Sequence, residues 1–339
     1  MTVDFGRQGR PRSARGFLAI VGVAAIVTAP WVPSMAADPP PEPGAVAVDG
    51  LVVTARTAGP AWWRISHGDS VVWILGLPPS LPKGFVWNTR TLDERLTGAR
   101  QAITPAVGTA GLFAIPALLG LEHRMRIKAP LEDQLPATLR ARFLADAAAL
   151  HKPPSRYDHW NGVVAGLFIM RDFEQAAGLD YIAPLAAIDR VVRKHGVRSR
   201  PAAVYKALDI LRAGATEIDP TIAQTCLAAA LDEVEDGKAR EAHAAEGWAR
   251  GDVAVALTAS TGFERCLASL PEDVRVSRQS ASDETATIAA ALQQPGVTVA
   301  FVPLRRLVED GGVLRQLEAR GFAVRGPDAR EAPGERGPG

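Results

Sequence analysis

A chain of 339 residues with 47% hydrophobic and 22% charged side chains can bury a full core, either as one large domain or as two smaller ones. Its formal net charge of +1 and pI of about 7.9 give no global attraction to nucleic acid or to an anionic membrane. Nucleic acid is therefore excluded as an expected partner.

The chain opens on an address. Arg7, Arg10, Arg12 and Arg15 form a basic region with no acid after Asp4, Phe17 to Val27 is continuously apolar, and Ser34-Met35-Ala36 offers small residues where a signal peptidase reads. Residues 1–36 are thus expected to be a signal peptide cleaved after Ala36, and the folded part to be periplasmic or secreted. The alternative is an uncleaved anchor, the one route by which this chain would touch a membrane. The apolar stretch, interrupted by Pro30, is shorter than the roughly 20 residues a spanning helix needs. No cysteine follows it, which excludes a bacterial lipoprotein.

Residues 37–59 contain Pro39-Pro40-Pro41 and few core formers, so they read as a linker. Order is expected over 60–326. Ala61 to Ser66 and Val71 to Leu75 are β-rich runs around the turn His67-Gly68-Asp69-Ser70, the pattern of a hairpin. Thr91-Leu92-Asp93-Glu94 suggests a capped short helix between Thr89 and Gly98, before a third strand from Ala99 to Thr104. The apolar segment Val107 to Leu121, punctuated by Gly108, Gly111, Pro116 and Gly120, reads as loop and broken helix. Helical periodicity follows over Leu139–Leu150, Trp160–Ala177 and Leu185–His195, then a β-like stretch near Val197–Tyr205. A long helix over Thr221–Ala245 carries the run Asp232-Glu233-Val234-Glu235-Asp236, expected on a solvated face, and Gly247 to Asp252 is expected to break it. Helices over Val253–Ala259, Phe263–Leu270 and Asp273–Gln294 precede a buried strand, Val297–Val302, a last helix, Gly312–Arg320, and an edge strand near Phe322–Val324. Residues 327–339 read as a disordered tail. The fold class is α/β (α+β) and helix-rich, with a central mixed sheet built from N- and C-terminal strands around a large helical middle.

One segment matters most for function. Val71 to Leu75 is an apolar strand running into Gly76-Leu77-Pro78-Pro79 and then Leu81-Pro82-Lys83-Gly84. Late in the chain, Val299-Ala300-Phe301-Val302-Pro303-Leu304-Arg305-Arg306-Leu307 precedes Glu309-Asp310-Gly311-Gly312-Val313-Leu314 and Arg320-Gly321-Phe322. These segments resemble the TraB/GumN family, which includes the Tiki metalloproteases, and the resemblance covers about Ala61 to Val324. It implies two Gly-x-x-His signatures and a glutamate at the end of the third strand, together forming a divalent-metal site. The signature positions here are degenerate: Gly76 is kept, but Pro79 stands at the first histidine position, Pro303 and Arg306 stand at the second glycine and histidine positions, and Pro105 or its neighbour stands at the acidic one. Proline and arginine offer a divalent ion no donor, and a guanidinium repels it.

No replacement site is visible in the sequence. The six histidines show no His-Glu-x-x-His spacing, and neither a Gly-x-Ser-x-Gly elbow nor a phosphate-binding glycine loop occurs. His151 and His159 bracket a short loop with no carboxylate at ligand spacing. Hence no metal, no cofactor and no catalytic residue are expected. Trp62, Trp63, Trp73 and Trp87 cluster near the first signature, either as core packing or as an aromatic groove for a peptide or glycan. Arg305 and Arg306 are either solvent-facing or available to an anion. With Trp73 and Trp87, they are the candidate ligand contacts. Cys226 and Cys266, the chain's two cysteines, are expected to be bridged in an oxidising compartment. The expected function is that of an exported, catalytically degenerate member of this family, a pseudoenzyme that binds an envelope protein, peptide or glycan. The alternative is a divalent-metal-dependent hydrolase of the TraB/Tiki type using a non-standard site.

Overall fold

The structure, a computed structural model, describes residues 59–109, 120, 126–180, 182–206, 218–259 and 262–327. The expected leader, all but the last residue of the linker, all but the first residue of the tail, and most of the segment from Val107 to Leu121 lie outside these residues.

The hairpin forms as the β-rich runs dictate. β1 (Trp62–His67) and β2 (Ser70–Leu77) pair antiparallel, with Ile65 opposite Val72 and His67 opposite Ser70. The short β3 (Leu81–Pro82) follows and pairs antiparallel with β6 (Leu179–Asp180), while Lys83 N–H donates to Gly178 O at 2.7 Å. The Leu-Pro-Lys-Gly turn is thereby tied to the end of a helix in the middle of the chain. α1 (Arg90–Leu96) buries Leu92 and Leu96, but the expected capping box does not form. The Thr89 side chain makes no bond to the backbone N–H groups of the first turn and instead lies 3.5 Å from Asp93 Oδ2. Asp93 is drawn toward Lys194 and His195, at 2.8 and 3.0 Å.

β4 (Gln101–Thr104) and β5 (Val107–Thr109) are followed by the helical middle: α2 (Ala137–Ala149), α3 (Gly162–Ala177), α4 (Ala183–Lys194), strands β7 (Ser199–Pro201) and β8 (Val204–Lys206), and α5 (Pro220–Ala249). α5 ends at Ala249, inside the stretch expected to break it, where Gly251 takes a φ of 78°, but the helix runs through Gly247 first. A Cβ at Gly247 would stand 2.4 Å from Val255 Cγ1, so this glycine serves the close approach of α6 (Val253–Ala256). The acidic run on α5 is also only partly solvated: Glu233 is buried, pairs with Arg240 and accepts Gly262 N–H at 2.9 Å. A buried carboxylate with a guanidinium and a backbone donor is compensated, whereas one facing apolar atoms alone would not be. α7 (Gly262–Leu267) and α8 (Pro271–Leu292) lead to β9 (Gly296–Pro303), the five-residue α9 (Leu304–Val308), α10 (Val313–Ala319) and β10 (Ala323–Arg325).

Six strands form one mixed sheet in the order β10-β1-β2-β9-β4-β7. β2, β9, β4 and β7 run parallel, with Leu77 opposite Pro303, Ile103 opposite Ala300, and Thr104 opposite Pro201. Two apolar cores result. One lies on the sheet and takes in Ile74, Leu75, Phe301, Ile288 and Leu317, while the other lies among the helices around Phe143, Tyr157, Ile169 and Leu227. α5, about 45 Å long at the usual rise, spans both, with Leu227 in the helical core and Trp248 in the sheet core. Cys226 and Cys266 are bonded, pinning α5 to α7 with Cα atoms 5.3 Å apart. No described helix is long and apolar enough to cross a membrane, and the disulfide fits a periplasmic or extracellular location.

Candidate functional site

In a parallel sheet, ligand-binding clefts open at the carboxyl ends of the strands, where chains leave neighbouring strands together. Here the β2 and β9 exits open a cavity of about 320 Å³ whose lining includes Leu77, Pro79, Pro303, Arg305 and Arg306. The two segments singled out in the sequence, separated by more than two hundred residues, thus share one cavity. Gly76 lies just beneath. A Cβ there would meet Leu304 Cδ1 at 2.5 Å and Trp63 Cζ3 at 3.2 Å, so the glycine lets β2 pass under the start of α9. The Gly76 carbonyl accepts from Trp248 Nε1 at 2.7 Å, which fixes the strand end from the side of α5.

Arg306 does not point its charge into an empty space. Its Nη1 donates to Glu284 Oε1 at 2.7 Å, and the Glu284 side chain, from α8, is only 1% exposed. Burial raises the Glu284 carboxyl above its ordinary value, while the Arg306 charge and the backbone N–H of Ala106 act against that rise. Ala106 follows Pro105 at the end of β4. A carboxylate from α8 therefore stands beside the β4 exit, close to where the family resemblance calls for a strand-borne glutamate, and its counter-ion is Arg306. Sequence reasoning missed Glu284. The available signal was a glutamate at helical spacing between Ala281 and Ile288, both buried.

Residues able to hold a divalent ion are lacking at these positions. Pro79, Pro303 and the ion-paired Arg306 offer a cation no donor, and the other carboxylates lining the cavity, Glu264 and Glu309, come from elements outside these positions. Among the described residues, no three His, Cys, Asp or Glu side chains stand together so as to hold a metal ion.

The aromatic candidates lie elsewhere. Trp73, on β2, has the Arg95 guanidinium 3.0 Å from its ring centroid and Arg64 at 6.0 Å. Trp87 packs edge-on against Trp248 with centroids 5.0 Å apart. Neither lines the cavity at Pro79. Arg305 does, is exposed, and forms no ion pair among the described residues.

A second cavity, of about 350 Å³, adjoins the first. It shares Pro79, Glu264 and Leu267 with it and reaches back between α3, α5 and α7 to Glu241. Glu241 is buried, and its Oε2 accepts the Ser80 hydroxyl at 3.0 Å. Burial pushes its carboxyl up to about 7, opposed by Ser80 and Arg240 and reinforced by Glu264 and Glu174. Glu174 is itself raised, by burial first and then by Glu264.

A helix-rich α/β domain with a mixed sheet and a cleft at the carboxyl ends of its central parallel strands is the class of protein these observations define. The model of the TraB/PrgY/gumN family matches residues 61–326, and the chain belongs to that family. No curated protein and no solved structure matches the chain.

Proposed function

We propose that this chain is an exported member of the TraB/PrgY/gumN family that works by binding a ligand in the cleft at the β2 and β9 exits, and that it does not perform metal-dependent hydrolysis there. The observation that carries the reading is the pair Arg306–Glu284 beside Pro79 and Pro303. A guanidinium held by a buried carboxylate neutralises Glu284, and prolines remove the imidazole and the backbone N–H at the flanking positions. What remains is a shaped cleft with an exposed arginine, Arg305, at its rim. Such a cleft is suited to binding, and its signature positions carry no imidazole or carboxylate to hold a metal.

Export is part of the same proposal. It is supported by the basic and apolar N-terminal segments and by the Cys226–Cys266 disulfide.

The test is direct. Protein purified from a periplasmic fraction is sequenced from its N-terminus, analysed for bound metal, and assayed for peptidase activity with and without added manganese, cobalt or zinc. A start at Ala37, substoichiometric metal and no metal-stimulated cleavage are expected. Stoichiometric metal with peptidase activity would sink the binding-only reading, and an intact Met1 in the membrane fraction would replace the leader with an anchor.

A further inference from the structure

The cavity that ends at Glu241 calls for an explanation that neither the sheet nor the Arg306–Glu284 pair supplies. Glu241 is 7% exposed, Ser80 donates to Oε2, and Oε1 accepts no hydrogen bond among the described residues. One hydroxyl is poor compensation for a carboxylate taken out of water. Two more carboxylates line the same space, Glu174 from α3 and Glu264 from α7, and the walls between them are apolar, including Met170, Phe173, Phe263 and Leu267. Leu167, at the mouth, is 48% exposed. Acid at the back with hydrocarbon along the sides matches a group with an alkyl stem and a cationic head. The carboxylates are not grouped as ligands for a bare metal ion, so the cation has to arrive on an organic stem.

The neighbourhood changes character at its other end. The cleft containing Arg305 shares Pro79 and Leu267 with the acidic cavity, and beyond it a third cavity of about 420 Å³ shares Leu257 and Arg305 and is lined by Arg240 and Arg265 together with Asp232 and Glu233. Arg240 is taken up by Glu233, whereas Arg305 is exposed and forms no ion pair among the described residues, so it is a cation this end can offer. Three adjoining cavities thus form a path from the carboxylates around Glu241 to Arg305.

We infer that this path receives an extended polypeptide, with a lysine or arginine side chain inserted between α3, α5 and α7 toward Glu241 and an acidic group of the same segment meeting Arg305. The inference rests on the reading of the cleft as a binding cleft and adds the chemistry of what it binds. Charge complementarity fixes the occupant: a neutral glycan has no cation for Glu241, and an isolated amine has no acid for Arg305. The charged groups around Glu241 are Arg171 and Glu174 on α3, Arg240 on α5 and Glu264 on α7. Of these, Arg240 already pairs with Glu233. Recognition should therefore demand an ionised Glu241 and strengthen as pH rises through about 7.

The experiment uses the full exported chain and acetylated, amidated alanine-based heptapeptides with lysine, arginine, norleucine or glutamate at the third position and glutamate at the sixth. Dissociation constants are read by fluorescence anisotropy. The lysine and arginine peptides are expected to bind at least about tenfold more tightly than the norleucine peptide. Glu241→Gln should erase that preference while leaving norleucine binding unchanged, Glu174→Gln should reduce it, and both variants are checked for native circular dichroism. Between pH 5.5 and 8 the lysine preference should grow in the parent and stay flat in Glu241→Gln. Equal affinity for lysine and norleucine, or a Glu241→Gln variant indistinguishable from the parent, overturns the inference. So does cadaverine binding as well as the lysine peptide, since that makes a free amine the occupant. Lysine-selective binding accompanied by metal-dependent cleavage supports the inference while overturning the binding-only reading.

Discussion

Glu284 and Glu241 are carboxylates on the inward stripes of long helices, and they differ in what answers their charge. Glu284 has Arg306 at 2.7 Å, whereas Glu241 has a serine hydroxyl. Removing the arginine alone should therefore be costly. Arg306→Ala is expected to lose about 3–5 kcal/mol of stability in urea unfolding at pH 8, because a buried charge is left unpaired, while replacing both partners by apolar residues should recover most of that loss. The penalty should shrink at pH 5, where a carboxyl already raised by burial takes a proton. For Glu241 the sign runs the same way without any partner to remove. Its carboxyl is raised from 4.5 to about 7 in the folded state, so the folded state binds the extra proton; stability falls as pH climbs between those values and levels off above them. The loss is on the order of 3 kcal/mol, and Glu241→Gln should remove that component. The slope that remains in the variant belongs to groups such as Asp146, raised to about 6 by burial and the nearby Glu235. A variant whose stability keeps the parent's full pH slope would show that Glu241 is not the proton site. Neither glutamate was legible as functional, because the sequence gives their helical spacing but not which side chains from distant segments, Ser80 and Arg306, come to meet them.

At the scale of elements, the hairpin, the late buried strand and the long helices are legible because their patterns are local. Alternation marks β1 and β2, and periodicity marks α3 and α8. The misreadings have one cause, a glycine or charge whose role depends on another element. Gly247 opens the stretch that breaks α5 but is itself still helical and serves as a contact point for α6, and Glu233 looks solvated but is held by Arg240 and the N-terminus of α7. α9, five residues long, is too short to announce itself, yet it carries Arg305 and Arg306. The disulfide was readable from an even cysteine count, and the two helices it joins from their periodicity, but not the cavity that the second of them walls. It fastens the six-residue α7, which carries Glu264 and Phe263 of the acidic cavity, to the middle of the helical core. Cys226→Ser should cost about 2–5 kcal/mol, and it should loosen α7 preferentially. Amide exchange across Gly262–Leu267 should then accelerate more than exchange in β9; uniform acceleration would mean the bond stabilises the whole domain and not this wall of the cavity.

At the scale of the molecule, the parallel pairing of β2 with β9 brings Gly76–Pro79 and Pro303–Arg306 to one cavity, so the proposal that these are degenerate metal-signature positions can be tested by reconstruction. Pro79→His and Arg306→His would supply two imidazoles, and Pro303→Gly would restore the backbone freedom the signature needs. Taking Arg306 away also releases Glu284, so the carboxylate that now answers a guanidinium becomes an oxygen donor without any change at Pro105. The triple variant is expected to gain cobalt affinity, visible as visible-range absorption and as a rise in melting temperature with metal, neither of which the parent should show. Adding Glu284→Gln should remove most of the gain. If the triple variant is well folded by circular dichroism and gains no affinity, the signature positions have been misassigned. If it gains affinity that Glu284→Gln leaves untouched, two imidazoles suffice, and the present Arg306–Glu284 pair is a packing solution unrelated to the metal. The dependence on Glu284 is the decisive arm, because it alone ties today's ion pair to the place where a cation would have been bound.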